Sequence, residues 1–92
     1  DLMKDAMANS VIIPTLRELT PREIEYLDAM APDEGPSQTS DIARRMGVSM
    51  TNASNLRRRL IAFGAIREVR LGRVEFDIPL LRDFLRENVR RY

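Results

Sequence analysis

Apolar positions recur at helical spacing through most of this chain and change to strict alternation only after Phe63 and Gly64. At the start, Leu2, Met3, Ala6 and Met7 predict about two turns of helix over residues 1–9. Val11, Ile12 and Ile13 are β-branched, and Pro14 argues against a central strand, so residues 10–16 read as an extended connector. The best-marked helix covers residues 19–31. Thr20 is placed to cap it, Pro21 to fill its first position and Glu23 to complete a capping box, with Leu19 and Ile24 as a hydrophobic staple. Ile24, Leu27, Met30 and Ala31 form its buried stripe, and Pro32 stops it. Residues 33–38 are rich in turn formers and read as a loop. Thr39 or Ser40 is then expected to cap the next helix, with Asp41 near the positive end of its dipole.

Residues 41–61 carry the densest signal. Ile42, Ala43 and Met46 give a short helix an apolar stripe, and Gly47 ends it. Val48 plugs the corner, and the Ser49 hydroxyl is placed to cap a second helix. There Ala53, Leu56, Leu60 and Phe63 share one face, and small Ala43 and Ala53 let the two helices cross closely. This is a helix-turn-helix pattern. Alternation then predicts strands over 66–71 and 73–78 about a turn at Gly72, with Val74, Phe76 and Ile78 facing one way. Pro79 is expected to open a last helix, with Leu81, Phe84, Leu85, Asn88 and Tyr92 on its apolar side.

The elements add up to a mostly α fold with a small β-hairpin, a winged helix-turn-helix with a three-helix core plus wing and extra N- and C-terminal helices. The expected organisation is an N-terminal helix and connector at 1–18, the winged unit at 19–78, and a closing helix at 79–92 packed on it. Ninety-two residues suffice for one small domain. A first residue other than methionine suggests a fragment of a longer protein.

The net charge of +1 hides a division. Residues 1–40 hold three basic and eight acidic groups, whereas residues 41–73 hold eight arginines against only Asp41 and Glu68. Positive charge therefore concentrates on the helix-turn-helix and hairpin, which points to a polyanionic partner. Histidine and cysteine are absent, which removes imidazole bases, thiol nucleophiles and the usual zinc ligands. No glycine-rich phosphate loop occurs, and Glu23, Asp28, Glu75 and Asp83 fall where exposed faces are expected. A free-standing enzyme is not expected, nor any cofactor. No apolar run spans a membrane, and the lack of cysteine fits a cytoplasmic protein.

Thr51, Asn52, Ser54, Asn55 and Arg58 fall off the apolar stripe of the second helix, toward solvent. Asparagine can pair two-handed with adenine and arginine with guanine, so these are candidates for reading base edges. Ser49, Arg57 and Arg59 are candidates for phosphates, which position rather than specify. Arg70 and Arg73 flank the hairpin tip, where cations would reach the neighbouring minor groove. Each group has a plainer reading: a basic triplet also suits a solvated helix face, and charge on a hairpin also protects an edge strand.

Residues 19–31, 41–47, 56–61 and 74–79, in particular Asp41-Ile-Ala-Arg-Arg-Met-Gly47 and Leu56-Arg-Arg-Arg-Leu-Ile61, resemble the C-terminal winged-helix domain of prokaryotic AAA-type ATPases. The resemblance implies a module that docks double-stranded DNA or a protein while an upstream motor binds ATP. Any ATPase activity would belong to that upstream sequence. Ala53 departs from the family pattern, where a β-branched residue is usual, and the wing is short. Two functions are thus expected: a DNA-binding module with residues 50–63 in the major groove or, alternatively, a protein-protein or interdomain docking module without DNA binding.

Overall fold

The computed structural model describes residues 8–88. The helix expected over 1–9 lies almost wholly outside them, as does Tyr92. From Ala8 the chain makes a π-helical turn, Ala8–Ile12, and continues into α1, Ile13–Arg17. This corrects the extended connector. Pro14 sits in the first turn of α1, where a missing N–H costs no helical bond. Ile12 and Leu16, four residues apart, are both buried, and that burial outweighs the β-branched preference for strand.

Helix α2, Pro21–Met30, starts as its sequence dictates. The Thr20 Oγ1 accepts from the Glu23 N–H at 3.2 Å, and the Glu23 carboxylate accepts from the Thr20 N–H at 2.8 Å. Glu23 is consequently only 8% exposed, not on a solvated face. Tyr26, Leu27 and Met30 fill the centre of the core.

The stretch read as a loop ends in a short strand, β1, Ser37–Gln38. It pairs with Val74 and Arg73 of β3, Arg73–Phe76, which pairs in turn with β2, Ile66–Arg70. The result is a three-stranded antiparallel sheet in the order β1-β3-β2. No side chain caps α3, Thr39–Met46, so the caps expected of Thr39 or Ser40 are not made. Strand pairing holds that entry instead, with the Thr39 N–H donating to the Gly72 carbonyl at 3.0 Å.

Gly47, at φ +70°, turns the chain from α3 into α4, Met50–Phe63. Ala53, Leu56 and Leu60 are buried as expected, but Phe63 is 42% exposed because it stands on the last residue and at the edge of the stripe. Both hairpin strands end short of the expected bounds, with Val74 and Phe76 turned inward. The final helix α5, Leu81–Asn88, starts after Pro79 rather than at it. Leu80 at φ +67° makes the intervening turn, and Leu81 and Leu85 enter the core.

Three arginines tie this assembly together around the end of α2. Arg45 of α3 grips both Asp33 oxygens, at 2.8 and 3.0 Å, and donates to the Ala29 carbonyl at 2.8 Å. Arg86 of α5 donates to the carbonyls of Ala31, Pro32 and Asp33 at 2.7 to 3.3 Å. Arg82 donates to the Gly35 carbonyl at 3.2 Å, pairs with Glu75 of β3 and lies over the Phe76 ring at 5.1 Å. Glu75 is thus a half-buried ion-pair member rather than a surface charge. Asp33 also accepts from the Ser37 hydroxyl at 2.6 Å. Removing its charge with Asp33→Asn should cost about 1 kcal/mol at neutral pH, measurable by denaturant unfolding.

Two carboxylates respond oppositely to acid. The hydrogen bond from Arg45, helped by that from Ser37, holds Asp33 below its usual range. Its contribution is present above the ordinary carboxylate pKa and lost as pH falls through the lowered value. Burial, with Glu25 nearby, instead pushes Asp28 up to about 6. Asp28 therefore costs stability above that value, and the cost disappears as pH falls to the unfolded carboxylate range. Asp28→Asn should raise Tm at pH 7.5, and the gain should vanish by about pH 4 in thermal melts across that interval.

Candidate nucleic-acid interface

Helix α4 is pinned from one side by Ala53, Leu56 and Leu60. The 3.6-residue repeat then turns Thr51, Asn55 and Arg58 away from the core, with Asn52 and Arg59 on one flank and Ser54 and Arg57 on the other. Thr51, Asn52, Arg58 and Arg59 are exposed, while Ser54, Asn55 and Arg57 are half-buried. The Ser49 oxygen is occupied as the helix cap, accepting from the Asn52 N–H at 3.1 Å, although its O–H remains a donor. Asn55 accepts a hydrogen bond from Arg58, so the two side chains form one unit on the outer face. On the near flank, Asn52, Asn55 and Arg59 share an open hollow of about 400 Å³ with Arg22 of α2.

Arg57 has a different place from its neighbours. Its guanidinium donates to the Ser54 hydroxyl at 3.0 Å and pairs with Glu68 of β2 at 3.5 Å. It braces the hairpin against α4 instead of standing free beside Arg58 and Arg59. Arg57 also borders a small cavity whose floor is Tyr26. Burial raises the Tyr26 hydroxyl to about 12, partly offset by the Arg57 charge, so it stays protonated at neutral pH.

The hairpin carries Arg70 and Arg73 directly across from each other, after a register irregularity between Glu68 and Arg70. Like charges facing across strands repel, so this pair destabilises the tip. Between them Leu71 is 94% exposed, the most exposed large apolar residue among those described. Alternation alone marked Leu71 only as a strand end; its exposure depends on where the turn falls.

The arginines divide cleanly by partner. Arg22, Arg44, Arg45, Arg57, Arg67, Arg82 and Arg86 each pair with a carboxylate. Among the described residues Arg58, Arg59, Arg70 and Arg73 have no carboxylate partner, and all four lie on α4 and the hairpin tip; Arg17, on α1, also has none. Unpaired guanidiniums beside amide and hydroxyl groups can hold phosphates and read base edges. No cluster that could hold a metal ion occurs among the described residues.

The chain belongs to the family described as a domain of unknown function, DUF8462, whose model matches residues 9–85. No curated protein and no solved structure matches it.

The division of labour among the arginines has a stability signature. Arg57→Ala should cost about 1 kcal/mol, because it removes a half-buried side chain from its packing and from its bond to the Ser54 hydroxyl. Arg58→Ala and Arg59→Ala should each stay within about 0.5 kcal/mol of wild type in the same chemical unfolding assay.

Proposed function

We propose that this chain is a winged-helix module that binds double-stranded DNA, with α4 in the major groove and the β2–β3 hairpin as the wing. The reading is carried by one observation: guanidinium groups without carboxylate partners gather on α4 and the hairpin tip, while those elsewhere on the described surface are mostly neutralised. The order β1-β3-β2 behind a helix-turn-helix supports the same assignment. On it, Asn52, Asn55 and Arg58 meet base edges, and Arg59, Arg70 and Arg73 meet phosphates. Arg57 contributes chiefly by setting the distance between helix and wing. The resemblance to ATPase winged-helix domains supports a motor elsewhere in a longer chain, to which this contact would be coupled. No helix among the described residues is long and apolar enough to cross a membrane.

Fluorescence anisotropy of a labelled duplex tests the reading. Binding is expected in the micromolar range or tighter at about 50 mM salt, weakening about fortyfold by about 200 mM as three phosphates recover their counterions. Asn55→Ala combined with Arg58→Ala should remove most of that affinity and leave Tm unchanged. No binding at low salt, or affinity indifferent to salt, would overturn DNA binding and favour docking to a protein or neighbouring domain.

A further inference from the structure

The hairpin tip combines features that neither the core nor a solvated edge requires. Leu71 is 94% exposed, held forward by a turn in which Gly72 adopts φ +78°. Arg70 and Arg73 stand on either side of it with no carboxylate partner among the described residues. Midway along β2, the Glu68–Arg57 pair at 3.5 Å links the hairpin to α4. A solitary leucine between two unneutralised cations suits a narrow slot with anionic walls and, between its base steps, apolar faces to pack against. The minor groove of DNA has that form: it is about 6 Å wide with phosphates on both rims, narrow enough that single side chains at the tip would enter it while the strands stay outside.

We propose that Leu71 is a wedge: the tip enters the minor groove beside the site covered by α4, Leu71 packs into a base step, and Arg70 and Arg73 hold the two phosphate walls, bending the duplex. The inference rests on the DNA-binding reading and goes beyond it, since a wing can grip phosphates without unstacking anything. Apolar side chains driven between base steps kink DNA toward the major groove, so bending separates the two.

The test is energy transfer between dyes at the two ends of a short duplex, read alongside anisotropy. Wild-type protein should bring the ends closer together on binding. Leu71→Ala should keep the wild-type Tm, bind about fivefold to tenfold more weakly and leave the duplex straight; Leu71→Met should restore the bend. Duplex binding without any change in transfer, or an equal bend with Leu71→Ala, would overturn the wedge while leaving DNA binding intact. No duplex binding would overturn both. If phosphatidylglycerol vesicles then captured wild-type protein but not Leu71→Ala, the tip would be assigned to an anionic lipid surface.

Discussion

Three guanidinium groups from two helices close on the carbonyl end of α2 and the turn that follows it, and the architecture depends on that closure. The last carbonyls of a helix have no intrahelical donor. Here Arg45 and Arg86 supply donors to Ala29, Ala31, Pro32 and Asp33, and Arg82 extends the set to Gly35. Because Arg45 sits on α3 while Arg82 and Arg86 sit on α5, satisfying one backbone end locks three helices together. Glu75 carries the lock into β3 through Arg82. The apolar core between these elements is non-directional; the arginine contacts give it a register.

That use of arginine also sharpens the surface. A chain with fifteen basic and fourteen acidic groups is nearly neutral, and its net charge alone says little about partners. Among the described residues, folding brings seven arginines and seven carboxylates together in pairs. Exposed pairs such as Arg22–Glu25 and Arg44–Asp41 contribute little to stability, yet they mute the field of the faces that carry them. Cations left over on α4 and the hairpin tip therefore dominate the potential on their side. Arg57 shows the boundary between the roles: in sequence it adjoins Arg58 and Arg59, but its bond to Glu68 makes it a strut.

The strut matters because it fixes the separation of α4 and the β2–β3 hairpin, on which the proposed joint contact with one duplex depends. Glu68 lies on an edge strand with few buried side chains, as only Ile66 of β2 enters the core. Pairing with β3 and the bridge to α4 are what keep that strand in place. Beyond Glu68 the register breaks, and Arg70 and Leu71 are exposed at the tip, while Arg73 pairs with Gln38 of β1 and the Gly72 carbonyl accepts from the Thr39 N–H.

Much of this was determined by the sequence itself. The capping box at Thr20 and Glu23, the Ser49 cap, the Gly47 turn and the buried stripe of Ala53, Leu56 and Leu60 are local: their chemistry acts over at most a few turns of helix, so spacing reveals them. The outward face of α4 follows from that stripe, which is why Thr51, Asn52, Asn55, Arg58 and Arg59 were legible as candidates. What only the tertiary structure decided involves partners distant along the chain. Residues 13–17 became helix because Ile12 and Leu16 found a core to fill. Ser37 and Gln38 became a strand because β3 arrived beside them, more than thirty residues later. The separate fates of Arg57, Arg58 and Arg59 were set by where Glu68 came to rest. A triplet of identical side chains carries no internal mark of which will be neutralised, because the neutralising charge comes from another element and only the fold brings it near.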